Sequence, residues 1–228
     1  MLSSSKISNF LINRIPNYEI FNIKYNDDDL NCINNFDIQN NLDYEYFGNN
    51  QIDTLNKFLK KVGKNTKENI NNFEKIILNI INIVLTGYNL NYFCLFIRTY
   101  IKETINYIPR WHKDDNLFIN QSKFITVLKG PGTLFISNNQ NANNIFINLE
   151  NNVIKSDSII IYDNYNEHMN EKLKLFNQFQ LNNNQAIIFF MGDNCPIHSE
   201  PNIINNRFFI SIIPGTENQI NDLKKKYI

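Results

Sequence analysis

The chain has three histidines, His112, His168 and His198, and two of them stand where they could bind a metal. His112 lies in Pro109-Arg110-Trp111-His112-Lys113-Asp114-Asp115. If that stretch ends a strand, alternate residues share a face, so His112 and Asp114 point one way while Trp111 and Lys113 point the other. An imidazole and a carboxylate on one side make two corners of a metal site, and Asp115 faces away. His198 follows a hydrophobic strand, Ala186 to Met191, in the turn-rich run from Gly192 to Pro201, where the chain reverses toward its last strand. Two His nitrogens and one carboxylate oxygen leave three coordination positions open. That donor set suits a non-haem Fe(II) that accepts a bidentate co-substrate and then dioxygen. A closed four-ligand zinc site would offer no such openings.

Arg207 completes the pattern. It heads Arg207-Phe208-Phe209-Ile210-Ser211-Ile212-Ile213 and is the only basic residue in the strand after His198. A guanidinium keeps its charge and grips a carboxylate with two parallel donors. Taken alone, His112 reads as a hydrogen-bonded histidine beside Trp111, and His198 as a loop histidine. The ordered set of His-x-Asp, several strands, His and an Arg-headed strand favours the metal. His168 sits in a polar stretch and reads as an exposed loop residue.

These groups need a scaffold. From Tyr92 onward short apolar segments alternate with Asn, Gly, Asp and Pro breaks, predicting strands at about 92–100, 105–112, 122–129, 132–137, 144–149, 153–162, 185–191 and 206–213. Many are rich in β-branched and aromatic residues. This density of strands after helices indicates an α+β, mainly β chain with a jelly-roll or cupin-like barrel. Helices are expected over 52–62, with Leu55, Phe58 and Leu59 on one face, and over 67–85, where Phe73, Ile76, Ile77, Ile80 and Ile81 recur at helical spacing. Gly87-Tyr88-Asn89 stops the second. Residues 1–50 read as polar and irregular, with Asp27, Asp28 and Asp29 as a solvated turn. The organisation expected is an N-terminal helical elaboration over 1–90 packed on a barrel core over 91–228.

Composition bounds the rest. The 228 residues suffice for one sizeable core, and 22 basic residues balance 22 acidic ones. That neutrality gives no footprint for nucleic acid or an anionic membrane. Asn makes up roughly a fifth of the chain and Ile about a sixth, the mark of an AT-rich genome, such as a parasite's or a large DNA virus's. Cys32, Cys94 and Cys195 form neither a disulfide set nor a metal spacing and suit a reducing compartment, the cytoplasm, or host cytoplasm for a viral protein. No apolar run is long enough for a membrane span. Lys6 and Arg14 ahead of the first acid, Glu19, give a faint transit-peptide character.

The stretch from about Ile105 to Gly215 resembles the double-stranded β-helix core of the 2-oxoglutarate/Fe(II) dioxygenase superfamily. The resemblance implies that His112, Asp114 and His198 are iron ligands and that Arg207 binds the distal carboxylate of 2-oxoglutarate, with ascorbate in a supporting part. More narrowly, Arg110 to Asp114 followed by Leu128-Lys129-Gly130-Pro131-Gly132-Thr133 is similar to an uncharacterised bacterial family with a like His-x-Asp and Gly-Pro-Gly-Thr. The pattern departs at Phe209, where many members carry Ser; Ser211 comes two residues later. Some branches anchor 2-oxoglutarate with a Lys on an earlier strand, which leaves Lys123, Lys129, Arg98 and Arg110 as alternatives to Arg207. Gly130 to Thr133 reads chiefly as a tight turn, the other reading being close backbone approach at the mouth of the site. Trp111 and the stripe of Ile187, Phe189 and Phe208 read as packing, and Lys224 to Lys226 as a solvated helix end.

The expected function is a 2-oxoglutarate-dependent oxygenase of hydroxylase or demethylase type on an unknown substrate. The alternatives are a cupin-type metalloprotein that does not use 2-oxoglutarate, and a non-catalytic binding or assembly module on the same fold.

Overall fold

A computed structural model of the chain describes residues 1–14, 17–49, 51–102, 107–154 and 161–227. Its elements run α1 (Ser4–Asn13), β1 (Tyr18–Asn22), α2 (Asp27–Asn35), β2 (Leu42–Asn49), α3 (Leu55–Val62), α4 (Lys67–Tyr88), β3 (Tyr92–Tyr100), β4 (Ser122–Lys129), β5 (Leu134–Ile136), α5 (Gln140–Ile154), α6 (Ile161–Leu173), β6 (Gln178–Gln180), β7 (Gln185–Phe190), β8 (His198–Ser199), β9 (Arg207–Gly215) and α7 (Glu217–Tyr227). A large antiparallel sheet has the order β1-β7-β4-β9-β3-β2, and a small one the order β6-β5-β8. His198 pairs with Phe135 on one side and with His112 on the other, so the chain around residue 112 extends the small sheet beyond β8.

The pleat of the large sheet separates two environments. Along β9, Phe208, Ile210 and Ile212 join a core with α1 to α4, which covers one face. Phe36 after α2, Phe73 of α4 and Phe208 form one aromatic knot, with ring centroids 3.8 Å apart for Phe36–Phe73 and 4.8 Å for Phe73–Phe208. Such ring pairs add about 0.5–1.5 kcal/mol each beyond area burial, and they clamp the helical layer to the central strand. Arg207, Phe209, Ser211 and Ile213 point to the opposite face. There Ile125, Ile187 and Phe189 pack with Phe135 and Leu181 of the small sheet's side. The two sheets therefore enclose a second core, and the metal-type residues lie at its edge.

β3 and β4 match the expected spans, and β7 and β9 lie within two residues of theirs. α4 runs three residues past its expected end, through Gly87, and stops at Asn89 in the left-handed conformation (φ 53°). Gly87 is needed there: a Cβ would stand 2.7 Å from the Cβ of Ile7 in α1. Several expectations need correction or fall partly outside the described residues. The described residues within 1–50 are not irregular; α1, β1, α2 and β2 lie there, with β1 and β2 at the two edges of the large sheet. Asp27 to Asp29 form the first turn of α2, capped by Asn26 in a reciprocal capping box with Asp29, where carboxylates favour the helix dipole. The strand expected over 144–149 is helical, because Ala142, Phe146 and the flanking Ile145 and Leu149 bury one face of α5 at helical spacing. Of the strand expected over 153–162, residues 155–160 lie outside the described residues, and its two ends fall in α5 and α6. Of the strand expected over 105–112, residues 105 and 106 also lie outside them, and the rest is a loop joined to the sheet only at His112. Among the described residues no helix is long and apolar enough to cross a membrane.

Candidate metal centre

His112 and His198 are brought together by backbone. Each amide donates to the other's carbonyl, at 2.9 Å from His112 and 3.0 Å from His198. This narrow antiparallel pair places their rings side by side, with centroids 4.2 Å apart. Asp114 follows two residues after His112; its amide donates to the thiol sulfur of Cys195 (3.2 Å) and its carbonyl accepts from Gly192 (2.7 Å). The outcome is one nitrogen of each imidazole and one carboxylate oxygen all within 4.8 Å of one another.

Each ring is turned by a local carbonyl. His112 Nδ1 lies 2.9 Å from the Arg110 carbonyl oxygen, and His198 Nδ1 lies 2.9 Å from that of Pro196. Those Nδ1 atoms therefore carry protons, and both Nε2 atoms are left for the centre, an orientation that metal-binding imidazoles require. Asp114 Oδ2 sits 3.3 Å from His198 Nε2 and 2.9 Å from Lys123 Nζ.

The electrostatics follow from this packing. Burial opposes ionisation of Asp114, but Lys123 and His198 outweigh it and hold the carboxyl well below its ordinary range. Burial opposes charge on His198 too, yet the Asp114 carboxylate and its hydrogen bond push that imidazole up to about 10. His112 goes the other way: protein crowding its ring and the neighbouring His198 charge lower it to about 4, although its accessible surface puts it at the open edge of the site. A metal ion held by His198 and Asp114 must displace the proton they share, so binding here releases a proton.

The triad borders a cavity of about 240 Å³ that also takes in Lys123, Arg207 and Ser211. Arg207 is 1% exposed. Its Nε donates to the Pro131 carbonyl (2.9 Å) and its Nη2 to Thr133 Oγ1 (3.1 Å), while the rings of Phe209 and Tyr100 lie 4.7 and 5.7 Å from its central carbon. Among the described residues no carboxylate pairs with it. Burial accordingly draws its pKa down to about 10, against the pull of Tyr100 and Glu200. The Ser211 hydroxyl, on the same face, is buried without a partner among the described residues.

The other candidate anchors are paired or exposed. Lys129 donates to the carbonyls of Asn34 and Phe36, both at 2.7 Å. Arg98 faces Glu200 at 3.4 Å and Asp43 at 3.8 Å, and Arg110 is exposed. Asp115 and His168 are exposed, the latter on α6 rather than in a loop. Trp111 is buried, and its indole donates to Asn170 (3.3 Å).

Gly130 to Thr133 does more than turn the chain. Its Pro131 carbonyl and Thr133 hydroxyl hold the Arg207 guanidinium, so the segment fixes the buried cation. Its glycines permit that approach. Gly130 has φ +85°, and a Cβ on Gly132 would sit 1.9 Å from the Leu181 carbonyl oxygen. Gly132→Ala is expected to destabilise the fold by about 3 kcal/mol, the upper end for overpacking against rigid backbone, measured by urea denaturation; wild-type stability in that variant would contradict the packing described.

No protein-family model and no curated protein matches the chain, so the narrower family resemblance stands on its residues alone. Solved structures do match. The apo Kdo hydroxylase KdoO, a non-haem Fe(II) α-ketoglutarate-dependent dioxygenase, aligns with TM-score 0.52 and 12% identity over 96% of this chain and 88% of that one. The same enzyme with succinate and Fe(III) aligns with TM-score 0.51 and 12% identity over 93% and 86%. The core is a double-stranded β-helix. A prolyl hydroxylase in complex with a peptide fragment, from Trichoplax adhaerens, aligns at TM-score 0.47 with 11% identity, covering 96% of this chain and 93% of that one. In this double-stranded β-helix the large sheet carries Arg207 and Lys123, the small sheet carries His198, and the loop paired to it carries His112 and Asp114. Sequence reasoning named those groups but missed two features: Lys123 rests on Asp114, and Glu45 and Tyr227, from β2 and α7, reach the same cavity. Neither Glu45 nor Tyr227 lies in a motif; only the sheet order and the packing of α7 bring them there.

Proposed function

We propose that the chain is a non-haem Fe(II), 2-oxoglutarate-dependent oxygenase of hydroxylase or demethylase type. One observation carries this reading: a two-imidazole, one-carboxylate cluster and a buried guanidinium with no carboxylate partner among the described residues share one small cavity. The donor set fits Fe(II), because nitrogen and oxygen ligands from one side leave positions open. Iron with bound 2-oxoglutarate would supply the oxidising chemistry with dioxygen, and the protein supplies orientation and access.

His112, Asp114 and His198 hold the ion in this reading. The Arg110 and Pro196 carbonyls fix the two rings, and Lys123 fixes the Asp114 carboxylate. Arg207 receives the distal carboxylate of the co-substrate. A buried charge without a counterion is costly, and a carboxylate arriving there removes that cost. Lys123, Lys129 and Arg98 already have partners, which favours Arg207 among the candidate anchors. Ser211 and Thr133 offer hydroxyls on the same wall, so Ser211 can stand in for the serine absent at position 209.

The test is turnover. Protein reconstituted with Fe(II) is expected to convert 2-oxoglutarate to succinate, with slow uncoupled turnover in the absence of substrate. Tight metal binding without any effect of 2-oxoglutarate on the metal's spectrum would instead favour a metalloprotein that uses no such co-substrate.

A further inference from the structure

Charge accounting in the cavity leaves one group unexplained. Its charged walls are Glu45, Arg98, Asp114, Lys123, Glu200 and Arg207, beside the two imidazoles. Asp114 is held by Lys123 at 2.9 Å. Glu200 is held by Arg98 at 3.4 Å and by the Tyr100 hydroxyl at 3.1 Å. What remains is one cation deep inside, Arg207, and one anion at the mouth, Glu45. Neither has an ion-pair partner among the described residues, and Arg207 is already assigned to the co-substrate.

Glu45 has aromatic company. On β2 it is paired in register with Phe96 of β3, and Phe47 follows on the same face. The Phe96 ring meets Tyr227 of α7 edge-on at 5.5 Å, and Phe47 lies 5.8 Å from Phe96 and 6.3 Å from Tyr227. Tyr227 is 50% exposed and lines the cavity. Burial raises its phenol pKa, and Asp114, Cys94 and Glu45 add to the effect. A carboxylate flanked by aromatic rings attracts an organic cation through both charge and ring quadrupole. It would repel an anionic substrate.

Size limits how that cation arrives. At ~30 Å³ per water, 240 Å³ holds about eight waters. That is room for a small co-substrate and a slender group, not for a bulky molecule. A wider groove of about 960 Å³ shares Arg98 and Glu200 with the cavity and continues past Leu42, Tyr107 and Ile108.

We infer that the substrate is a larger molecule lying in that groove and presenting a slender alkylammonium arm, received by Glu45 with the rings of Tyr227 and Phe96. Calling this molecule the substrate rests on the oxygenase reading; the cation site itself does not. Glu45 orients the charged end of the arm, so it is a specificity residue and takes no part in holding the metal.

The probe is n-butylammonium, with 1-butanol as its neutral counterpart, followed by saturation-transfer NMR on the full chain with and without Mn(II). Binding of the ammonium but not of the alcohol is expected. Glu45→Gln should weaken it by up to about fivefold, the upper end for one exposed ion pair. Tyr227→Leu should weaken it less. Thermal melts confirm that both variants fold. Equal binding of the alcohol, or no change in Glu45→Gln, overturns the inference. Mn(II) binding followed by electron paramagnetic resonance reports on the triad separately. Ammonium binding that depends on Glu45 in a protein that holds no Mn(II) would support the cation site while removing the oxygenase reading.

Discussion

His112→Ala is expected to weaken Fe(II) or Mn(II) binding by on the order of 100-fold or more while leaving the fold intact. Removing a group that only orients a ligand typically costs 10–100-fold in metal affinity, and loss of a ligand itself should cost at least as much. The fold should survive because His112 stands at the open edge of the cavity. Its backbone bonds to His198 are kept by alanine; what is lost is the ring's hydrogen bond to the Arg110 carbonyl, two residues away, and its contact with the His198 ring. An exposed substitution of this kind shifts stability by about 0.5 kcal/mol. The chain carries its own reporter: Trp111 is its only tryptophan, is buried, and precedes His112 directly. Metal-dependent quenching of its fluorescence should be strong in the wild type and absent from the variant at micromolar metal. His198→Ala is the weaker experiment, because it also strips Asp114 of a charged neighbour inside the fold. Unchanged metal affinity in His112→Ala would remove that residue from the site.

Arg207→Met separates the two halves of the proposed machinery. The variant should keep metal affinity, since Arg207 does not contact the triad, and should lose co-substrate affinity. Truncating one partner of a buried charge pair costs about 2–5 kcal/mol; about 3 kcal/mol corresponds to on the order of 100-fold in Kd. Stability should move differently. The guanidinium is buried with a carbonyl and a hydroxyl as hydrogen-bond partners but, among the described residues, no carboxylate. Replacing such a charge by an apolar side chain of similar length is often neutral or stabilising. The melting temperature should therefore stay level or rise while 2-oxoglutarate binding collapses. Calorimetric titration of the Mn(II)-loaded variant with 2-oxoglutarate checks the affinity. Retained affinity would shift the anchor to Lys123, and a large fall in stability would mean that Arg207 serves the fold rather than a ligand.

What the sequence reveals divides along physical lines. The central strands β3, β4, β7 and β9 are legible because they are largely buried and read as nearly continuous apolar runs, such as Phe124 to Leu128 with Thr126 inside it and Ala186 to Phe190. The edge strands β1 and β2 carry exposed or half-exposed residues at most positions and gain strand character from pairing with β7 and β3. Their own composition does not announce that. Asn26 and Asp29 did spell a capping box, yet three adjacent acids read more simply as a turn. In α5 the run of Ile and Phe suggested a strand, while the spacing 142, 145, 146, 149 already carried the helical period that tertiary packing uses.

The site shows the same division. Residue type and order pointed to His112, Asp114, His198 and Arg207, which the fold brings to one cavity; a metal and a carboxylate would place narrow demands on their binders. The role of Gly130 to Thr133 was not legible, because a Gly-Pro-Gly-Thr turn looks alike whether or not its carbonyl meets a buried guanidinium. Lys123 carried no sign that it would rest on Asp114 rather than on a co-substrate. Glu45 and Tyr227 come from opposite ends of the chain, and their meeting is a property of the sheet order β4-β9-β3-β2 and of α7 lying beside it.

The most direct measurement is a crystal structure of the protein soaked with Mn(II) and N-oxalylglycine, an inert analogue of 2-oxoglutarate. The account predicts one ion coordinated by His112, Asp114 and His198 together, chelated by the analogue, whose far carboxylate lies against Arg207. An ion bound away from these three side chains, or a triad that stays metal-free at saturating Mn(II), would contradict it.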